Sequence, residues 1–254
     1  MRGRTVHRFP TCLLAALLAV AGSGCVTTQL EFDRMTGTAY PTDQTLGGKS
    51  WNLTRIYFQG GHLLAVDEDD TNIAQVTDGF GNPKNCISNA ELDSLMAANR
   101  QTQVGAASFA CGFNRRYTCT RHHVYGIVAN HLGISGGSCS STLLGRMWDS
   151  TDRSAFAVFY KNSTISGDGK KYLRTTAHEI GHAFNLHHGD GDGSQTLMNQ
   201  TSVVGNNFTY EFSANSETHL RDHPDGCRFP GSGSFTSVNG DHDGWHSGVS
   251  SGCS

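Results

Sequence analysis

The spacing of apolar residues predicts four strands along the chain. Apolar and polar residues alternate over 51–58, as they do in a strand with one buried face. Shorter apolar runs predict strands over 123–128 and 142–148. Residues 155–160 read AFAVFY and are apolar on both faces, which indicates a strand in the centre of a sheet.

Two further segments have the pattern of helices. Residues 88–91 read SNAE, a capping box that predicts a helix over 89–100. A second helix is predicted through 173–184, because four apolar residues fall within ~60° of one another at about 100° per residue. They are Leu173, Ala177, Ile180 and Phe184.

Composition adds two constraints to this pattern. The 31 glycines among 254 residues, without a collagen-like period, indicate long loops on an ordered scaffold. Residues 231–254 are rich in Gly and Ser and contain no helix signal. The formal net charge of -3 gives no basic surface of the kind that nucleic acid binds, so we expect no nucleic-acid partner.

The first 25 residues have the features of an export signal. Three arginines precede an apolar run over 13–21 that is too short to span a bilayer. Cleavage can follow residues 19–21 (AVA), or it can precede Cys25, because residues 22–25 (GSGC) resemble the bacterial lipoprotein box. That box usually has leucine at the first of these four positions. We therefore expect an exported protein, either extracellular or attached to the bacterial cell envelope by a lipid on Cys25.

The number of cysteines fits an oxidising compartment. Cys12 is lost with the signal and Cys25 is the lipidation candidate, which leaves an even set of disulfide candidates. These are Cys86, Cys111, Cys119, Cys139, Cys227 and Cys253. Six cysteines allow fifteen pairings, so the connectivity stays open.

The candidate chemistry lies in one segment, HEIGHAFNLHH. On a helix, His178 and His182 lie one turn apart on one face, roughly opposite the apolar stripe, where both can bind one metal ion. Asn185 tolerates a left-handed conformation and can end the helix, so that His188 turns back as a third ligand. Three imidazoles with a fourth position left for water are typical of catalytic zinc, and Glu179 is the candidate general base.

This segment resembles the zinc motif of the metzincin metalloproteases, HExxHxxGxxH, with Asn185 in the glycine position. Met198, ten residues after His188, resembles the methionine that metzincins place in a tight turn beneath the metal. Gln200 stands where some branches of the family have a tyrosine.

The resemblance implies an α+β, metzincin-like fold. A mixed twisted sheet and the active-site helix would lie over a small irregular C-terminal subdomain. Disulfide bonds would cross-link the fold. Residues 142–148 would include the edge strand along which an extended substrate pairs, and a C-terminal helix would begin at Ser213. One catalytic domain would cover 51–254, with an upper part at 51–188 and a lower part at 189–254.

The resemblance also implies a zinc endopeptidase that acts on a polypeptide substrate. One zinc ion would be bound by His178, His182 and His188. Glu179 would accept the proton of a metal-activated water and pass it to the leaving amine. We expect the protein to act as a monomer.

Several alternatives stay open from the sequence. His187 could bind the metal in place of its neighbour His188. In a gluzincin-type peptidase, the third ligand would be a glutamate such as Glu211 or Glu217. The chain could also be a non-catalytic surface binding protein that contains zinc.

Two further expectations concern other parts of the chain. Residues 26–50 are polar and weakly patterned, and they are assigned to a linker or a short pro-segment. In a latent form Cys86 could block the zinc ion, or it could simply be bridged in a disulfide. Calcium could bind at aspartates in glycine-rich segments, none of which completes a calcium loop: Asp190, Asp192, Asp241 and Asp243.

Overall fold

The computed structural model describes residues 26–68, 72–100, 107–111, 117–133, 138–148, 152–189, 195–222 and 228–231. These residues form a six-stranded sheet, two short strand pairs and five helices. From edge to edge, the sheet runs β4 (Leu63–Asp67), β1 (Val26–Arg34), β7 (Tyr117–Ala129), β10 (Ala155–Phe159) and β9 (Gly145–Met147). The sixth strand, β6 (Ala107–Cys111), also pairs with β7.

The sheet is mixed, as predicted. Strands β4, β1, β7 and β10 are parallel, whereas β6 and β9 are antiparallel to their neighbours. The predicted strands at 123–128 and 155–160 correspond to parts of β7 and to β10, and all five residues of β10 are buried. The strand predicted over 142–148 is shorter, because only Gly145–Met147 pairs with β10.

The first described residues form an interior strand, so the prediction of a linker or pro-segment is wrong for Val26–Arg34. This strand, β1, lies between β4 and β7 and pairs with both. Leu30 and Phe32 are fully buried, but so are the alternate residues Glu31 and Asp33, at 3% and 0% exposure. Acidic residues on a buried face hide the apolar pattern that would have predicted the strand.

The predicted strand over 51–58 is also wrong. Trp51, the first residue of the predicted strand, is the last residue of β3 (Lys49–Trp51). Helix α1 (Leu53–Gln59) follows. The Asn52 side chain caps this helix by accepting a hydrogen bond from the Arg55 backbone N–H at 2.9 Å. The buried residues of the helix follow the i, i+3, i+4 spacing: Leu53, Ile56 and Tyr57.

Two short strand pairs flank the main sheet. Strand β2 (Gln44–Leu46) forms a hairpin with β3 through Gly47 and Gly48, whose φ values of 59° and 73° suit a type I′ turn. Strand β5 (Cys86–Ile87) pairs in parallel with β8 (His131–Leu132).

The remaining helices include one predicted from its capping box and one that the resemblance implies. Helix α2 (Asn89–Asn99) has both hydrogen bonds of the capping box between Ser88 and Glu91. Helix α5 (Ala214–Asp222) begins after Ser213, whose hydroxyl accepts a hydrogen bond from the Ser216 N–H at 3.2 Å. Helix α3 (Gly169–Ala183) carries the histidine motif, and α4 (Thr201–Val204) is a single turn.

The core has two parts, one on each face of the sheet. On one face, Phe32, Phe156 and Val158 pack with buried residues of α1 and α3. On the other face, Tyr125 and Ile127 belong to a cluster that includes Leu92 of α2. The histidine helix therefore lies on the α1 side of the sheet, beside β9 and β10.

A disulfide joins Cys86 in β5 to Cys139, and their Cα atoms are 5.3 Å apart. Cys86 is therefore bridged and is not a ligand that blocks a metal. Cys111 and Cys119 lie in β6 and β7, and whether each forms a disulfide stays a prediction. Outside the described residues lie Cys25, Cys227 and Cys253.

The signal assigned to 1–25 stays a prediction, since these residues lie outside the described ranges, whereas the sheet of the domain assigned to 51–254 also includes Val26–Arg34. Within those ranges, no helix combines the length and apolar character needed to cross a membrane.

Candidate metal centre

Helix α3 begins and packs as its sequence predicts. The Asp168 carboxylate accepts hydrogen bonds from the backbone N–H groups of Lys170 and Lys171, at 3.0 and 3.1 Å, and so caps the first turn. The predicted apolar stripe lies in the core, and none of its four residues is more than 1% exposed: Leu173, Ala177, Ile180 and Phe184. This buried face fixes the rotation of the helix about its axis.

The helix ends in a Schellman turn built on Asn185. This residue has φ 62°, the left-handed conformation that the sequence predicts for it. The Asn185 N–H donates to the His182 carbonyl at 2.8 Å, and the Leu186 N–H donates to the Gly181 carbonyl at 3.0 Å. The turn reverses the chain within three residues, so that His188 returns toward the helix.

The side chains of His178, His182 and His188 converge on one point. Their three Nε2 atoms lie 3.1, 3.2 and 3.2 Å from one another. In a tetrahedral site with Zn–N bonds of ~2.0–2.1 Å, ligand atoms are about 3.3 Å apart. The donor set therefore fits one zinc ion, and it is the cluster of potential metal ligands that the described residues contain.

The two helical histidines are held in position by backbone carbonyl groups. Nδ1 of His178 lies 2.9 Å from the carbonyl oxygen of Leu197, and Nδ1 of His182 lies 2.7 Å from that of Leu186. A carbonyl oxygen only accepts, so each Nδ1 carries the proton and each Nε2 keeps a lone pair for a metal. The Schellman turn thus ends the helix and also orients a ligand.

Electrostatics keep His178 neutral. Burial lowers the pKa of His178 well below its ordinary value, and the neighbouring His182 and Arg174 contribute in the same direction. A neutral imidazole is the form that binds a metal.

Met198 packs directly against helix α3 between the two helical histidines. Met198 is 1% exposed, and its Cε would lie 2.9 Å from a Cβ added at Gly181. The turn that contains Met198 therefore sits against a part of the helix where only glycine leaves room for the thioether. That Met198 is the methionine of a metzincin turn stays a prediction.

Arg174 links helix α3 to the turn that contains Met198 through hydrogen bonds. Its guanidinium donates hydrogen bonds to the carbonyl oxygens of Leu197 and Asn199 and, at 3.2 Å, to the hydroxyl of Thr201. The guanidinium carbon also lies 5.5 Å from the centre of the Phe208 ring. Sequence analysis did not find this residue, although its i−4 spacing from His178 places it on the ligand face.

Glu179 lies buried beside the edge strand β9. Burial raises the pKa of the Glu179 carboxyl to about 8, while a hydrogen bond from the Met147 backbone N–H and the charge of Arg146 lower it. A Cβ added at Gly145 would lie 2.8 Å from Oε1 of Glu179. The carboxyl group therefore reaches the strand only because position 145 has no side chain.

The other candidate ligands are elsewhere. His187 is buried but is not part of the cluster, which contains His188. Glu211 forms an ion pair with Lys49 at 3.4 Å and is half exposed, and Glu217 lies in the first turn of α5. The four aspartates considered for calcium lie outside the described residues: Asp190, Asp192, Asp241 and Asp243.

No family model and no curated protein sequence matches this chain. Among solved structures, the chain is similar to the crystal structure of a zinc-dependent peptidase from Methanocorpusculum labreanum (strain Z). The two share 15% sequence identity with a TM-score of 0.43, and the alignment covers 76% of this chain and 100% of that one. At these values the likeness supports no functional assignment, and the metal site is inferred from the histidines themselves.

Proposed function

We propose that the protein is an exported zinc-dependent endopeptidase of the metzincin type. The observation that carries the proposal is the triangle of Nε2 atoms from His178, His182 and His188, with edges of 3.1–3.2 Å. The position of Met198 against Gly181 and the left-handed Asn185 support the metzincin type in particular.

The chemistry divides between a bound ion and the protein. A zinc ion held by His178, His182 and His188 would supply a Lewis acid that polarises a peptide carbonyl and lowers the pKa of water. In this proposal Glu179 accepts a proton on a carboxylate oxygen and delivers it to the leaving amine nitrogen. The residue that precedes Glu179, His178, belongs to the histidine cluster, and the burial of Glu179 excludes competing water.

The edge of the sheet provides a means of binding an extended polypeptide. In the described residues, β9 pairs with β10 on one side only, and its Met147 N–H points toward Glu179. A substrate strand added to this edge would place its backbone beside the Glu179 carboxyl. Backbone pairing of this kind suits an endopeptidase, because it does not require a chain end.

The test is cleavage of a peptide library together with metal analysis. We expect one zinc ion per chain and cleavage that a chelator abolishes and added zinc restores. Glu179→Gln should retain zinc and lose cleavage by about 100-fold or more, since removal of a general base typically costs that much. Cleavage that resists the chelator, or an unchanged rate in Glu179→Gln, would contradict the proposal. Zinc binding without any cleavage would favour a non-catalytic binding protein.

The third ligand has its own test. His188→Ala should lower zinc affinity sharply, whereas His187→Ala should leave it nearly unchanged, because His187 is not part of the histidine cluster. Retention of zinc and activity in His188→Ala would instead support a gluzincin-type site that uses Glu211 or Glu217.

Export and attachment are also part of the proposal. Mass spectrometry of the mature amino terminus distinguishes a lipid on Cys25 from cleavage after Ala21. A Cys25→Ala variant should move the protein from the membrane fraction to the soluble fraction if the lipid is present.

A further inference from the structure

The third ligand, His188, differs from the other two in what holds its ring. Its Nδ1 lies 3.0 Å from the side-chain amide of Gln200, through the Nε2 end of that amide. His178 and His182 face backbone carbonyl oxygens, which can only accept a hydrogen bond. Gln200 offers both a donor and an acceptor, so it can face either tautomer of His188.

Gln200 stands at the start of a helix, but its side chain does not cap that helix. It is the N-cap residue of α4, where a short Ser, Thr, Asp or Asn side chain would normally bind the first turn. The Gln200 side chain makes no capping hydrogen bond to that helix. Its backbone carbonyl nevertheless accepts hydrogen bonds from Val203 and Val204, at 3.0 and 3.1 Å, so the residue is anchored.

The ligand that Gln200 contacts is also the least constrained of the three. His178 and His182 belong to a helix, whereas His188 lies beyond its end and is partly exposed. When its Nε2 binds a metal, its Nδ1 must carry the proton and needs an acceptor. The Gln200 side-chain amide lies next to this Nδ1, and turning the amide over would present its oxygen as the acceptor.

We propose that Gln200 is a positioning residue that holds His188 in the metal-binding tautomer. On metal binding, the amide turns over: Oε1 accepts from Nδ1–H, and Nε2 faces the Ser202 hydroxyl, which now lies 3.4 Å from Oε1. This inference rests on the proposed zinc site. It predicts that the hydrogen-bonding character of residue 200, more than its size, sets the affinity for zinc.

The first experiment measures zinc affinity by competition with a chelator in two variants of Gln200. Gln200→Met keeps the length of the side chain but removes the acceptor, and it should weaken zinc binding by about 10–100-fold. Gln200→Glu can only accept, and it should bind zinc as tightly as the unchanged protein or more tightly. Gln75→Met is the matched control, because the Gln75 amide also makes a hydrogen bond, but its partner is the Thr36 carbonyl, at 2.9 Å. Its affinity should be unchanged.

The second experiment observes the tautomer directly. In the zinc-loaded protein with 15N-labelled histidine, the Nδ1–H of His188 should give a protected NMR signal. This signal should be lost through exchange with water in Gln200→Met and should remain in Gln200→Glu. A merely structural role for Gln200 would lower stability without changing how fast the Nδ1–H of His188 exchanges with water.

The outcomes separate this inference from the proposed function. If the unchanged protein binds zinc and Gln200→Met binds it equally well, the role of Gln200 is refuted and the zinc site stands. The role is also refuted if Gln200→Glu loses as much affinity as Gln200→Met. If the unchanged protein binds no zinc, the proposed function and this inference are both wrong.

Discussion

Arg174 and His178 share one acceptor, the carbonyl oxygen of Leu197. The Arg174 guanidinium lies 3.2 Å from this oxygen, and Nδ1 of His178 lies 2.9 Å from it. The same guanidinium also binds the Asn199 carbonyl and the Thr201 hydroxyl. A single buried cation therefore fixes the backbone that in turn orients a metal ligand.

Replacement of Arg174 should damage both stability and metal binding. Arg174→Met removes the hydrogen bonds that a charged donor makes to three acceptors. The free energy of unfolding should therefore fall by on the order of 3 kcal/mol. Zinc affinity should fall as well, because Leu197 would no longer be fixed opposite His178. Denaturant unfolding and chelator competition measure the two effects.

Arg174→Lys is the informative companion variant. Lysine keeps the charge but cannot span several acceptors with a planar fork, so we expect an intermediate loss. If Arg174→Met lowered stability but left zinc affinity intact, the turn would not depend on the guanidinium for its position.

Gly181→Ala should displace the methionine beneath the histidines. The added Cβ would overlap the Met198 side chain, whose Cε would be 2.9 Å away. Overpacking of this kind should lower the free energy of unfolding by about 2 kcal/mol, against the small gain that alanine brings to a helix. Gly167→Ala is the control, because nothing lies within 4 Å of its added Cβ. Equal stability of the two variants would argue against close packing of Met198 on the helix.

Gly145→Ala should reduce cleavage while leaving zinc bound. The new Cβ would lie 2.5 Å from Cγ of Glu179 and would push the carboxyl group away from the edge strand. A displacement of about 1 Å at a reacting group can lower the rate by about 100-fold. The measurements are the cleavage rate and the zinc content of the same preparation. Loss of zinc along with activity would mean that the histidines had moved too.

Removal of the Cys86–Cys139 disulfide should lower stability without affecting the metal. The bridge spans a sequence separation of 53 residues, and closing a loop of this length is worth about 4 kcal/mol in the chain-entropy description. The double variant with serine at both positions should melt earlier but bind zinc as before. A parallel loss of zinc would show that β5 and the segment at Cys139 support the histidine site.

The features of the site that could be predicted from the sequence are those that depend on the spacing of residues close together in the chain. The i, i+4 histidines, the apolar stripe opposite them and the left-handed Asn185 all depend on residues within one helix and its end. The capping box of α2 was predictable for the same reason. Such features need no knowledge of what the helix packs against.

The residues that sequence reasoning missed depend on contacts between distant segments. The role of Arg174 follows from carbonyl groups about 25 residues away in the chain, which no periodicity encodes. Strand β1 was missed because Glu31 and Asp33 occupy a buried face, and the sequence gives no sign of what surrounds them. The helix at Leu53–Gln59 was mistaken for a strand because a short apolar run fits both periods.

Strand β1 also bears on how an anchored form of the protein would be held. It begins at Val26, which pairs with Thr120 of β7, and Cys25 is the preceding residue. One residue spans less than ~4 Å, so no linker would separate a lipid on Cys25 from the central sheet. The fold would then set the distance between the histidine cluster and the bilayer surface. Only substrates that reach this distance from the membrane would be cleaved.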